Sequence, residues 1–249
     1  MTKVISTHSF RGGTGKSNIT ANAAVMLAQR GHRVGVVDGD IQSPGIHIIF
    51  NLSDNTVQHT LNDYLWGGCK IEEAMYEVYT DSKSGGVVYL VPSSIKPNDI
   101  ARILREGYDA DDMHNAFRDL ISAQAIDFLL IDTHPGLNEE TLLSITISDA
   151  LIIVLRPDQQ DFQGTSVTVE VARRLHVPEI CLVVNKIPLP YSLEDVKRKV
   201  EQSYQCQVVS LIHLSSDIAQ NASSQVFALQ EPNHPFSRSI KDLVDHLLK

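Results

Sequence analysis

The chain is poor in cysteine. It has three in 249 residues, Cys69, Cys181 and Cys206, odd in number and with no C-x-x-C pair. That argues against a disulfide framework or a zinc knuckle and for a reducing, cytoplasmic compartment. Long apolar runs are also missing. Stretches such as ALIIVL from Ala150 are far too short to cross a bilayer. The opening MTKVISTHSF reads directly as a strand, with no signal-peptide pattern. There is no internal repeat, low-complexity tract or linker, so residues 1–249 are expected to form a single domain. A chain of this length can bury most of its apolar surface without covalent staples. Basic residues are outnumbered, with 21 Lys and Arg against 30 Asp and Glu and a net charge of -9. Such a chain is no constitutive nucleic-acid coat, although a local basic patch still acts at contact range.

What is present is an alternation. Short runs rich in Val, Ile and Leu begin at Lys3, Arg33, Val87, Asp127, Ala150, Glu179 and Gln207. They show little in/out periodicity, as strands covered on both faces do. Helix-like stretches separate most of them: KSNITANAAVMLAQRG closing on Gly31, TSVTVEVARRLH and LEDVKRKVEQSY. The pattern predicts an α/β fold, a doubly wound, mostly parallel twisted sheet of about seven to eight strands with helices on both faces. The segment from Asn51 to Gly86 is less regular and reads as surface excursions between two strands. Ligands in such sheets sit beyond the carboxyl ends of the strands. Three informative stretches fall there: residues 9–17, 38–45 and 132–138.

The first stretch belongs to HSFRGGTGKSN, His8 to Asn18. It is glycine-rich, follows a strand and opens a helix, as a phosphate-binding loop does. Phe10 stands where the strict pattern G-x-x-x-x-G-K-[ST] has glycine. Backbone N–H groups of Gly12, Gly13, Thr14, Gly15 and Lys16 can converge on phosphate oxygens, and the helix dipole points at the same anion. Lys16 would reach the β- and γ-phosphates, Ser17 would hold Mg²⁺, and Asn18 completes the motif. VVDGDIQSPG places Asp38 and Asp40 at a second strand end, where they can order metal-bound and attacking water or cap the next helix. LLIDTHPG places Asp132 at a third, the position of a metal-holding carboxylate, before a hinge that can sense a γ-phosphate. NKIP, residues 185–188, has Pro188 where a guanine-reading carboxylate would stand. Adenine is therefore favoured, with Asn185 as a base contact, and the cofactors expected are ATP and Mg²⁺.

RGGTGKS, VVDGD and IDTHPG together resemble the deviant Walker motifs of the ParA/MinD ATPases, whose usual loop is K-G-G-x-G-K-[ST]. The resemblance runs over nearly the whole chain and dispenses with the first glycine, so Phe10 does not disqualify the loop. It implies that ATP closes two subunits face to face, with slow basal turnover. It also implies that Asp40 orients the attacking water and that Asp38 supports Ser17 and the metal. The signature lysine that crosses to the partner's phosphates corresponds to Arg11. Arginine keeps the charge but is forked and planar. Arg11 either acts across the dimer or holds its own loop, in which case another cation, Arg156 for example, crosses instead. Within the family the nearest resemblance is the carboxysome-positioning branch, which lacks the standard signature lysine.

ParA-type relatives bind DNA without sequence preference once dimerised. The candidate phosphate contacts here are Arg173, Arg174, Lys197, Arg198, Lys199, Arg238 and Lys241. Each is equally a solvated helix residue, as in an i,i+4 pair Lys197–Glu201. MinD-type relatives bind membrane through a C-terminal amphipathic helix. The end of this chain, SRSIKDLVDHLLK, carries Asp242 and Asp245 and no bulky aromatic, which favours packing on the sheet over insertion. The expectation is thus a nucleoid-associated switch ATPase that positions a cargo, such as carboxysomes, with an adaptor protein that stimulates hydrolysis. A membrane-associated spatial regulator of division or flagellar placement is the alternative. An electron-transfer or other metabolic P-loop enzyme is a third reading, disfavoured by the unpaired cysteines. His8 and His134 are expected near the site as packing or hydrogen-bonding groups.

Overall fold

The computed structural model describes residues 2–53 and 55–249. Its first half runs β1 (Lys3–His8), α1 (Lys16–Ala28), β2 (Arg33–Gly39), α2 (Ile46–Ile49), α3 (Leu61–Leu65), β3 (Tyr76–Thr80), β4 (Val87–Val91), α4 (Pro97–Glu106), α5 (Ala110–Gln124) and β5 (Phe128–Thr133). The second runs α6 (Glu139–Thr146), β6 (Ala150–Leu155), α7 (Gln159–Arg174), β7 (Glu179–Ile187), α8 (Leu193–Tyr204), β8 (Gln207–His213), α9 (Ser216–Asn221), α10 (Phe227–Gln230) and α11 (Pro235–Leu247). The strands form one eight-stranded sheet in the order β3-β4-β2-β5-β1-β6-β7-β8. All pairings are parallel except β3 with β4. This is the mostly parallel, doubly wound α/β sheet that the sequence pattern predicts.

The continuous apolar runs have their expected cause, since every residue of β5 and β6 is buried. One sheet face packs on α1, α10 and α11 through Ile5, Val36, Leu130, Ile152 and Val183. The other packs on α3 and α5 at one side and on α6, α7 and α8 at the other. Helix α1 is buried nearly all round, between the sheet and α11. That is why it carries alanines and no polar stripe. In α11, Ile240, Leu243, Val244 and Leu247 are buried against this layer, so its apolar face is occupied within the chain.

The segment between residues 51 and 86 is more ordered than excursions would be. It supplies α3, a short 3₁₀ turn at Ile71–Glu73 and the antiparallel edge strand β3. YEVYT is short, and Tyr76, Val78 and Tyr79 are only half-buried. An edge strand of that kind makes a weak sequence signal. The β3–β4 turn is tied to the end of α1, where Ser84 Oγ donates to Ala28 O at 2.9 Å. A Cβ on Gly86 would lie 1.9 Å from the same carbonyl, so β4 meets α1 only because residue 86 has no side chain. Gly86→Ala is expected to destabilise the chain by about 1–3 kcal/mol, seen as a lower urea midpoint at unchanged slope. An unchanged midpoint would show that the contact yields freely.

Candidate functional site

The loop between β1 and α1 is held from behind by the end of β7. Asn185 Nδ2 donates to Thr14 O at 2.7 Å, and Lys186 Nζ donates to Gly13 O at 2.7 Å. A planar trans peptide directs its N–H opposite its C=O. Pinning these two carbonyls toward β7 therefore turns the N–H groups of Thr14 and Gly15 away from it. Gly15 is the N-cap of α1, left-handed at φ 101, and no side chain caps that terminus. Helices α5, α6, α7 and α8 are each capped by a side chain. The first amides of α1 thus stay available to an anion. A Cβ on Gly15 would meet Asn185 Nδ2 at 2.5 Å, which makes glycine obligatory there.

Phe10 has a structural reason. Its ring lies against Gly164 of α7, where a Cβ would come within 2.1 Å of Phe10 Cδ1. The residue that replaces the first glycine of the strict pattern wedges the loop onto α7. The hinge after β5 closes over the same turn, with Gly136 N donating to Ser9 O at 3.1 Å.

Beside the loop, strand register makes the electrostatics. Asp38 of β2 and Asp132 of β5 are register partners, and Thr7 of β1 pairs with Asp132 in turn. Both carboxylates are buried, and the charge of Lys16, itself only 7% exposed, acts on Asp132. Burial pushes Asp38 well above the ordinary carboxylate range, and the neighbouring charges of Asp132 and Asp40 add to the shift. Burial raises Asp132 to about 6, with Lys16 and a hydrogen bond from Ser17 pulling the other way. Asp132 Oδ1 is buried without a hydrogen-bond partner. An orphaned carboxylate oxygen, a second carboxylate and the Ser17 hydroxyl are hard oxygen donors, the set that Mg²⁺ takes. Asp40 is raised by burial and drawn down by His134 and Lys16. His134 Nε2 stands 3.8 Å from its Oδ1. His8 is buried and bonded to Thr133 Oγ1 at 2.9 Å. Burial, with the Lys16 charge, lowers it to about 3, so it is a neutral packing group.

Arg11 leans toward its own α7. Its guanidinium lies 3.8 Å from Asp158 and 3.6 Å from Asp161. Arg156 holds the same Asp161 more closely, through its backbone N at 2.9 Å and Nε at 3.0 Å. Arg156 is fixed within the chain, while the Arg11 contact is long, half-exposed and of the kind worth roughly 0–1 kcal/mol.

The basic candidates do not form one patch. Arg173, Arg174, Lys197, Arg198 and Lys199 belong to α7 and α8, while Arg238 and Lys241 lie on α11 across the sheet. Arg173 donates to Tyr204 O and Gln205 O and serves as a cap for α8. Arg174 pairs with Glu170, Lys197 with Glu201 and Arg198 with Asp195. Lys199 lies over the Phe162 ring. Arg238 and Lys241 are exposed.

Sequence reasoning missed Lys186 and Asp161. The signal for Lys186 lay in NKIP, where the asparagine and the proline were read and the lysine was not. For Asp161 nothing local distinguishes a cap-region aspartate from an arginine clamp. A pocket of about 260 Å³ opens beside the loop, lined by Gly15, Asn18, Asn185, Leu214, Ile218 and Ser223. Asn18 Nδ2 is bonded across it to Ser223 Oγ at 2.9 Å. In this structure the Asn185 amide serves the loop, with both ends engaged by Thr14 O and Lys186 N.

An uncapped helix behind a glycine loop, with acidic strand ends on the adjacent strands, defines a P-loop NTPase. Residues 1–248 match the model of the ParA family, described as NUBPL iron-transfer P-loop NTPase. The chain belongs to that family. An uncharacterised ATP-binding protein of Methanocaldococcus jannaschii is 28% identical over 249 residues, covering 100% of this chain and 88% of that protein. An iron-sulfur cluster carrier protein of Methanococcus maripaludis is 31% identical over 186 residues, covering 73% of this chain but only 59% of its own length. The septum site-determining protein MinD of Pyrococcus horikoshii, solved with Mg-ADP, has a TM-score of 0.83 at 23% identity, over 99% of this chain and 96% of that one. The narrower resemblance finds a Cyanothece McdA–ATP complex at TM-score 0.78 and 17% identity, over 99% and 96%. At such identities the structural likeness speaks for the fold.

Two expectations test this geometry. Gly164→Ala should destabilise the chain by about 1–3 kcal/mol, and Phe10→Ala should recover part of that loss in the double variant, giving a coupling of about 0.5–3 kcal/mol in urea denaturation. Strictly additive losses would dissociate Phe10 from α7. Asp132→Asn should stabilise the ligand-free chain. Its carboxyl is raised from 3.8 to about 6 in the fold, so the cost of its charge is present above pH 6 and fades as pH falls toward 4. The gain should be roughly 1–3 kcal/mol at pH 8 and vanish near pH 4. A loss of stability at pH 8 would mean that the carboxylate is satisfied without a ligand.

Proposed function

We propose that the chain is an ATP-driven switch that pairs with a second copy of itself and positions a cargo. The observation carrying this reading is the gathering of Lys16, Ser17, Asp38, Asp40 and Asp132 around one uncapped helix terminus. The amides of Gly12 to Lys16 receive the phosphate oxygens, and Lys16 neutralises the β- and γ-phosphates. Ser17, Asp132 and Asp38 hold the Mg²⁺, which supplies further neutralisation of phosphate charge. Asn18 and Asn185 face the nucleoside pocket, and Pro188 leaves no carboxylate for guanine. Asp40 accepts a hydrogen bond from the water that attacks the γ-phosphorus and aims it in line with the departing ADP oxygen. Arg11 is the cation that crosses to the partner, because Arg156 is fixed on Asp161 while Arg11 is loosely held.

The γ-phosphate favours the dimer only if it makes contacts that exist in that state alone. The dimer binds DNA through exposed members of the basic set, with Arg238, Lys241, Arg174 and Lys199 ahead of the capping Arg173, and binding weakens steeply with salt. An adaptor protein stimulates hydrolysis and releases the dimer, placing the cargo, carboxysomes in the branch it resembles, on the nucleoid. Stable membrane association is not expected, since the apolar face of α11 is occupied. Among the described residues no helix is long and apolar enough to span a bilayer. The iron-sulfur carriers among its relatives suggest a cluster, but clusters need grouped thiolates. Here Cys69 packs with the α3–α5 layer, Cys206 with the α7–α8 layer, and Cys181 faces α11.

Lys16→Ala should abolish nucleotide binding in calorimetry. Asp40→Ala should bind ATP, elute as a dimer and hydrolyse on the order of 10²-fold more slowly. A normal rate in Asp40→Ala would remove the water-positioning role. A wild-type chain that stays monomeric with ATP and Mg²⁺ would overturn the switch. Liposome rather than DNA sedimentation of the ATP form would establish the membrane alternative, and cluster absorbance after anaerobic reconstitution would establish a carrier.

A further inference from the structure

At the amino-terminal edge of the sheet, three unlike donors converge. Glu179 and Cys181 are two apart on β7 and so share a face, the one that packs on α11. His246 enters from the last turn of α11. Its Nε2 lies 2.7 Å from Glu179 Oε1 and 3.4 Å from Cys181 Sγ. The three ligand atoms all fall within 4.8 Å of one another. Cys181 forms the buried floor, while His246 and Glu179 are partly open to solvent. Lys3 Nζ holds the other carboxylate oxygen, Glu179 Oε2, at 3.3 Å and donates to Leu247 O at 3.0 Å. The carboxylate is thereby oriented with Oε1 toward the histidine.

We propose that Glu179, Cys181 and His246 form a binding site for one transition-metal ion, Zn²⁺ by preference, with its fourth position open to water. The spacing fits the ion. Tetrahedral zinc with bonds of about 2.3 Å to sulfur and 2.0–2.1 Å to nitrogen and oxygen sets S···N near 3.5 Å and N···O near 3.4 Å. The sulfur and nitrogen already stand that far apart, and the half-buried glutamate needs to retreat by about 0.7 Å. Thiolate, imidazole and carboxylate together suit zinc and exclude Mg²⁺ and Ca²⁺, which take oxygen. The carboxyl terminus of α11 turns the negative end of its dipole to the site. Lys3 offsets part of that field, but its bond to Oε2 is the outer-shell hold that orients a ligating carboxylate. Ligation replaces the Cys181 thiol proton with the metal and delivers that proton to solvent. The site lies roughly 20 Å along β7 from the phosphate loop and is independent of nucleotide. It fastens the last turn of α11 to β7, and through Lys3 to β1.

The test titrates the purified full-length chain with Zn²⁺ in calorimetry and with Co²⁺ in absorbance, both without nucleotide. One ion per chain is expected, with a cobalt–thiolate band and a raised thermal midpoint. Cys181→Ser and His246→Ala should each weaken binding by more than about tenfold. Cys69→Ser and Cys206→Ser should leave both the stoichiometry and the band intact. Circular dichroism checks that each variant is folded. Should Cys181→Ser fail to fold, the band in the Cys69→Ser/Cys206→Ser double variant decides, because Cys181 is then the sole thiol. Its absence there, or Zn²⁺ binding undiminished in folded Cys181→Ser, overturns the proposal.

Discussion

Two aspartates buried side by side at the ends of adjacent strands are the constraint on which this molecule turns. Asp38 and Asp132 are register partners in the middle of the sheet, removed from water. Two like charges there cannot both be ionised cheaply. The ammonium of Lys16 offsets part of this at Asp132, and burial still raises both carboxyls. A divalent cation carrying a polyphosphate would resolve the conflict, and binding energy would then be stored in the ligand-free fold.

The rest of the architecture serves that spot. Parallel pairing brings β1, β2 and β5 to one end, where their loops meet. The end of β7 reaches across and pins two loop carbonyls, leaving the amides of Thr14 and Gly15 turned away from β7. Phe10 locks the loop to α7 through Gly164, and α7 carries the aspartates that face Arg11. The phosphate loop, α7 and the arginine are thus one mechanical unit, so a change at Arg11 has a short path to α7. The thiol–imidazole–carboxylate cluster sits at the opposite end of β7 and offers donors suited to a softer class of cation.

Much of this was legible in the chain itself. RGGTGKS, VVDGD and IDTHPG announce a nucleotide site because each motif has a geometric requirement: glycine where the backbone turns, carboxylates where strands end. The all-apolar runs announce strands covered on both sides, and LEDVKRKVEQSY coincides with α8. The edge strand β3 was not legible, since a five-residue, half-exposed strand draws its stability from β4. The basic residues could be counted but not placed, and the sheet puts them on opposite faces.

Local sequence determined the elements and the chemistry of the phosphate loop, because glycine freedom, strand hydrophobicity and helix starts act over a few residues. Tertiary structure alone decided which charges meet. Asp38 opposite Asp132, Arg11 against Asp161, Asn185 behind Thr14 and His246 beside Cys181 are 94, 150, 171 and 65 positions apart. Their proximity follows from strand order and register, which arise when the whole sheet closes on its helices. Burial then raises the Asp38 and Asp132 carboxyls, and no spacing along the chain reports it.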